Sequence, residues 1–260
     1  MSFLRFIKVQ IGKLVFLIRT DAPLWLIVKC YHLNLRDKLS AKRKHYLQKR
    51  DNFRDKSKSL HIDNDWFTSR IPTWLSAFER SGLSPEKNIT CLEVGSWQGL
   101  STFFTLSYFS NASITCVDTW EGADEHQSGD AVENSILESV ERIFDKNLEQ
   151  FSNRIEKFKG TSYAFFNDKF ERDKFDLIYI DGSHHSDDVV IDAIKAFEML
   201  KVGGVMILDD YLWMYYDRKI DNPAGAINSF LRLKRHQIEF VCLDYQVVIR
   251  KMSSSVRWSD

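Results

Sequence analysis

The chain has 260 residues, 36 of them Lys or Arg and 36 Asp or Glu, and 44% of it is apolar. These proportions exclude a disordered or fibrous protein and fit one catalytic domain with an extension. The zero net charge hides an asymmetry: residues 1–58 hold 15 Lys/Arg against 4 Asp/Glu, so a basic arm of +11 precedes a body of −11.

The arm is apolar as well as basic. Its runs Leu14–Ile18 and Leu24–Val28 are far shorter than the roughly 20 residues a spanning helix needs. Lys13, Arg19 and Lys29 punctuate the arm, Pro23 breaks it, and no small-residue cleavage site follows, so a signal peptide is not expected. On a helical wheel Arg5, Lys8, Lys13 and Arg19 gather opposite Phe3, Ile7, Leu14 and Ile18. Two uses fit that pattern: peripheral contact with an anionic inner membrane face, or packing against the acidic body or a second copy in a homo-oligomer. Residues 36–58 read as a solvated helix or a linker. The expected division is a helical extension over 1–65 and a catalytic domain over 66–260. Because every motif lies in the body, the arm is expected to be an accessory.

The body opens at Trp66–Arg80, where Pro72 suits a first helical turn and Trp74, Leu75 and Phe78 recur at helical spacing. Strand Ile89–Val94 then leads through Gly95 to a helix over Leu100–Tyr108, and strand Ser113–Val117 ends at Asp118. A polar segment precedes a long helix at about 131–150. Ile155–Lys159 and Phe175–Ile180 are the next strands, followed by a helix at about 187–200 that Gly203-Gly204 closes. Val205–Leu208 is the fifth strand, a helix lies near 224–235, and Ile238–Leu243 with Val247–Arg250 forms an antiparallel hairpin. The alternation predicts an α/β fold: a doubly wound, mostly parallel seven-stranded sheet with a terminal antiparallel hairpin and a helical N-terminal extension. Cys30, Cys91, Cys116 and Cys242 form no CxxC pair, which suits a reduced, cytoplasmic protein.

In such sheets ligands bind beyond the carboxyl ends of the strands, and these ends are rich in glycine and acid: Glu93 to Gly99, Asp118 to Gly122, Gly160 to Ser162, Asp181 to His185, and Asp209 to Tyr211. Gly95 and Gly99 permit close backbone approach, but their G-x-x-x-G spacing differs from the G-x-G-x-x-G that cradles a pyrophosphate. A nucleoside with an amino-acid tail fits better. Asp118, about twenty residues on, is placed to accept ribose hydroxyls.

The segments LEVGSWQGLST (92–102), CVDTWEG (116–122), FDLIYIDGSHH (175–185) and LKVGGVMILDDY (200–211) resemble the ordered motifs of class I S-adenosylmethionine-dependent methyltransferases. More narrowly they resemble the macrolide-sugar and cephalosporin-type O-methyltransferases. The resemblance spans about 66–250 and implies S-adenosyl-L-methionine as cofactor. Glu93, Gly95, Ser96 and Gly99 would line its methionine half, Asp118 its ribose and Ser162 its adenine, unless Ser162 merely caps a helix. Asp181, which also borders the cofactor, matches a divalent-metal site together with Asp209 and Asp210. Mg²⁺ prefers such oxygen ligands, and three clustered carboxylates without a cation would show raised pKa values. His184 matches the general base, with His185 as substitute or helix cap. The aromatic run Tyr211–Tyr216 suits a substrate wall, ordinary core or an oligomer contact.

The implied reaction is metal-assisted O-methylation of a hydroxyl on a small molecule or sugar. Its rivals are a metal-independent methyltransferase on the same fold and a non-catalytic cofactor-binding regulator. A nucleic-acid substrate is disfavoured because the body is acidic and has no Asn/Asp-Pro-Pro-Tyr motif.

Overall fold

The computed structural model describes residues 3–122, 137 and 139–254, with side chains from residue 8 onward. Seven strands form one sheet: β1 (Ile89–Val94), β2 (Ala112–Asp118), β3 (Ile155–Lys159), β4 (Phe175–Ile180), β5 (Leu200–Leu208), β6 (Ile238–Leu243) and β7 (Val247–Lys251). Their order is β3-β2-β1-β4-β5-β7-β6, parallel except where β7 pairs with β5 and β6. This is the expected doubly wound sheet with its terminal hairpin.

The apolar runs of β1 and β4 follow from burial on both faces of a parallel sheet. Leu92, Val94, Ile178 and Ile180 enter one core, while Cys91, Leu177 and Tyr179 enter the other, the two-residue alternation of a strand. Strand order reverses beside β1, where the Asp181 amide donates to the Val94 carbonyl at 2.8 Å. That switch point fixes where the strand-end loops converge.

Helices cover both faces: α1 (Phe3–Arg19), α2 (Leu24–Lys38), α3 (Arg43–Lys56), α4 (Ile71–Arg80), α5 (Leu100–Tyr108), α6 (Val140–Asn147), α7 (Ser162–Asp168), α8 (Ser186–Met199) and α9 (Pro223–Lys234). Of the helix expected at 131–150, residues 131–136 and 138 lie outside the described residues; the described part is helical over α6 and passes into a 3-10 turn at Glu149–Arg154. Residues 43–56 are helical rather than a linker, because Tyr46 and Phe53 are buried and anchor α3 to the body. The short α7 has no sequence periodicity long enough to announce it. The glycine pair does not cap α8; β5 begins directly at Leu200, and Gly203 takes φ +87° inside the strand, within the register shift against β4 between Leu200 and Val205.

The arm packs on the body. Leu17, Leu26, Ile27, Cys30 and Leu33 join the core beside α8 and α9. Lys13, its side chain 8% exposed, pairs with Asp244 at 2.5 Å in the β6–β7 turn, and Asn228 donates to the Thr20 carbonyl at 2.9 Å. Lys13 therefore leaves the expected basic side of α1 and belongs to its docking side. Leu14 and Ile18, on the apolar side, face outward. All four cysteines are buried and unpaired. No helix among the described residues is long and apolar enough to cross a membrane.

Candidate active site

The strand-end loops enclose a cavity of about 830 Å³. Its floor is the turn after β1. Gly95 has φ +84°, and a Cβ there would stand 1.8 Å from the Asp181 carbonyl oxygen, so β1 and β4 approach only because this residue has no side chain. Gly99 caps α5 at φ +83°, with Leu148 and Phe144 packed where a Cβ would lie.

Asp118 organises this turn. One carboxylate oxygen accepts the amides of Ser96 (2.7 Å) and Trp97 (2.8 Å), and the other accepts that of Trp120 (2.7 Å). It also borders the cavity, as do Gly95, Ser96 and Ser162. Glu93 does not, and neither does Gly99. Glu93 lies inside β1, 1% exposed, where a strand side chain points to the face of the sheet and not to its end. Its carboxylate accepts from the hydroxyls of Ser96 (3.0 Å) and Thr102, and burial pushes its pKa up. The expectation that Glu93 lines the site is corrected accordingly: it holds the loop from behind. Thr161, not Ser162, caps α7, accepting from the Ala164 amide at 3.2 Å. Ser162 is thereby left to face the cavity.

Beyond β4 and β5 lies an acidic cluster. Asp181, His184 and Asp210 each offer one ligand atom, all within 4.8 Å of one another. His184 Nε2 is 2.9 Å from Asp210 Oδ2, and the Tyr245 hydroxyl donates to Asp210 Oδ1 at 2.7 Å. Asp209, expected in this set, turns away. It extends the strand parity of Ile207, so its carboxylate meets the Tyr179 hydroxyl and accepts from Gln246 Nε2 at 2.7 Å. Trp74 Nε1 in turn donates to Gln246 Oε1 at 3.0 Å. His184, assigned from the sequence as base alone, occupies the place expected of Asp209. Asp210 escapes that parity by taking φ +55°, a conformation costly for a non-glycine residue and frequent at functional sites.

The electrostatics match this crowding. Burial and the neighbouring carboxylates push Asp181 well above the usual range, and burial with Asp210 nearby lifts Asp209 to about 6. Burial opposes ionisation of Asp210 too, but its bond to His184 outweighs that and holds its pKa low. The Tyr179 phenol sits 2.6 Å from Asp181 and also against Asp209. It has one proton for two acceptors, so it can donate to only one of these carboxylates at a time. His185 stacks on Tyr216 at 4.2 Å, and its residue is the N-cap of α8. It borders the cavity but stands outside the cluster.

The aromatic run divides. Trp213 and Tyr216 wall the cavity, Tyr211 is core and bonded to Asn228, and Met214 and Tyr215 are exposed. A further wall comes from residues 62–70, which sequence reading missed. Gln98 and Asp63 exchange hydrogen bonds, 2.9 Å from the Asp63 amide and 2.5 Å from Gln98 Nε2. Trp66 meets Trp97 at 5.9 Å across this wall. Arg70, the one Lys or Arg among the described lining residues, lies 3.8 Å over the Tyr245 ring. Only the contrast of Trp66, Phe67 and Arg70 with the polar stretch before them offered a signal.

Residues 92–211 match a family model described as a methyltransferase domain. Three solved structures are similar. A putative O-methyltransferase from Klebsiella pneumoniae shares 13% identity over 82% of this chain and 91% of its own, with a TM-score of 0.50. The methyltransferase PaMTH1 of Podospora anserina shares 14% over 78% and 88%, also at 0.50. MycE of the mycinamycin biosynthetic pathway shares 16% over 75% of this chain and 54% of its own, at 0.51. At these identities the likeness is one of fold. No curated protein sequence matches the chain.

Proposed function

We propose, from the match of residues 92–211 to a methyltransferase-domain model, that the chain uses S-adenosylmethionine to methylate a hydroxyl oxygen of a small molecule or sugar with help from a divalent cation. The observation that carries this reading is the convergence of Asp181, His184 and Asp210 within 4.8 Å, in the wall of the cavity floored by Gly95. The MycE complex, which holds Mg and SAH with mycinamycin VI, supports the combination of a cation with this class of cofactor.

The sulfonium of S-adenosylmethionine supplies an activated methyl group, so the protein's task is alignment and removal of a proton. Fixing two reactants in line supplies ~7–11 kcal/mol. Gly95 and Ser96 would bring the backbone against the methionine half, with Asp118 beside the ribose and Ser162 toward the adenine. Asp118 retains lone pairs for ribose hydroxyls while it holds the Ser96 and Trp97 amides. Arg70 would bind a carboxylate, from the amino-acid end of the cofactor or from the acceptor. Trp66, Trp97 and Trp213 would exclude water from the acceptor.

The donor set fits a divalent cation. Two carboxylates and an imidazole suit Mn²⁺ or another transition ion as well as Mg²⁺, and a positive charge there would relieve the raised Asp181 and Asp209. When bound, the cation would lower the pKa of an acceptor hydroxyl. Asp181 and Asp210 would hold it, Asp209 and Tyr179 would fix Asp181, and His184 would be a ligand or take the acceptor proton.

One observation favours a second reading. The 2.9 Å contact of His184 with Asp210 is also that of a base oriented by a carboxylate, which needs no metal. Incubation with S-adenosylmethionine and a panel of phenols and sugars, with Mg²⁺ or with EDTA, separates the readings. Methyl gain by mass spectrometry that chelation abolishes and Mg²⁺ restores supports the first. Undiminished transfer in EDTA transfers the role to the His184–Asp210 pair. Tight cofactor binding without transfer to any acceptor indicates a regulator.

A further inference from the structure

The helical hairpin α1–α2 docks on the body by one side and leaves an apolar surface on the other. On α1 the exposed apolar residues are Val9 and, spaced at three and four residues so that they share one stripe, Ile11 (56%), Leu14, Val15 and Ile18 (58%). On α2 they are Leu24 (76%), Val28 (61%), Leu35 and, just past its end, Leu39 (75%), again one stripe. Tyr31 donates its hydroxyl to the Gln10 carbonyl at 2.8 Å, which sets the helices side by side.

This exposure is not the by-product of a loose arm. The opposite sides are fully engaged: Leu17, Leu26 and Cys30 are 0% exposed, and Lys13 is committed to Asp244. Eight further aliphatic side chains of the hairpin thus meet solvent in two stripes, not singly as on most soluble domains. Cations flank the stripe. Lys8 and Arg19 are exposed and stand seven before and four after Val15, on the same side of the helix. Lys29 is exposed on α2, and the arm as a whole carries +11.

We propose that α1–α2 is an in-plane anchor that lays this stripe into the interface of an anionic lipid bilayer. An apolar stripe bordered by Lys and Arg is what the boundary of headgroups and acyl chains accommodates. Charge decides between this occupant and a second copy: residues 1–39 hold seven Lys/Arg against two Asp, so a symmetric dimer through the stripe would bring two hairpins of net +5 together, whereas anionic headgroups neutralise them. The site reading does not enter this inference, and failure of one leaves the other standing.

The test is co-sedimentation of the full-length protein with vesicles of phosphatidylcholine alone and with a third phosphatidylglycerol. The expected result is binding to the anionic vesicles that weakens with salt and is much lower on neutral ones. The exposed Val28→Gln with Ile18→Gln should lower partitioning about tenfold or more at an unchanged melting temperature. Lys8→Gln with Arg19→Gln keeps the apolar stripe and should lower it about 25-fold, at roughly fivefold per charge. Equal binding to both vesicle types overturns the proposal. So does absence of vesicle binding, and concentration-dependent dimerisation abolished by the Val28/Ile18 variant would then assign the surface to a second copy.

Discussion

The Tyr245 hydroxyl donates to Asp210 Oδ1 at 2.7 Å, so the turn of the last hairpin reaches back to a carboxylate at the end of β5. Lys13 grips the neighbouring Asp244 in the same turn, and Gln246 holds Asp209. Three successive residues thus tie the N-terminal arm and the core tryptophan Trp74 to the acidic cluster.

Tyr245→Phe removes this bond and little else. A hydrogen bond to a charged group contributes about 1.5–3 kcal/mol, part of which water will replace. Calorimetric titration with Mn²⁺ should show affinity reduced about tenfold, with S-adenosylmethionine affinity unchanged. Equal loss of both ligands would mean that the turn is merely structural.

Asp118→Ala should weaken S-adenosylmethionine binding about 100-fold and also lower the melting temperature. The carboxylate accepts three amides, and losing them leaves the Ser96–Trp97 turn without its template. The combined cost is about 3 kcal/mol. Wild-type affinity by calorimetry would remove Asp118 from both roles.

Deletion of residues 1–58 should yield aggregated protein rather than a trimmed enzyme, contrary to the expectation of an accessory arm. It uncovers the core around Leu17, Leu26, Ile27, Leu33 and Phe53. At about 1.5–3 kcal/mol each, their loss approaches the whole stability of a typical domain, about 5–15 kcal/mol. A monomeric, cooperatively melting fragment on size exclusion would contradict this.

What the sequence revealed and what it hid have physical causes. β1 and β4 were legible because strands buried on both faces read as continuous apolar runs, and Asp118, Asp181 and Asp210 because parallel sheets expose their sites at strand ends. The roles of Asp209 and Asp210 were not separable. Adjacent strand residues point to opposite faces, and only the positive φ at Asp210 brings its side chain to the cavity. Tyr245, Gln246 and the 62–70 wall were hidden because contacts joining residues as distant as Trp74 and Gln246 have no local signature. The side on which α1 docks was hidden too, since an amphipathic wheel says which residues cluster and not which cluster turns inward.

Asp192 offers a test of buried charge next to the site that leaves the acidic cluster untouched. It lies on α8, 2% exposed. Burial raises its pKa from 3.8 to about 7, with Asp188 adding to the rise. The folded state therefore binds a proton more tightly than the unfolded chain, so the group's contribution to stability is full below about pH 4 and is lost as pH rises through about 7. Asp192→Asn keeps the shape and removes the ionisation. Relative to wild type the variant should gain stability as pH increases, by about 1–3 kcal/mol between about pH 5 and about pH 8, once relaxation around the charge is allowed for. Asp181 and Asp209 titrate in both proteins and cancel in the difference. Urea unfolding at the two pH values measures it, and a difference that does not change with pH would show that Asp192 ionises without cost. S-adenosylmethionine affinity should stay within about threefold, because Asp192 does not border the cavity and the amide keeps its shape.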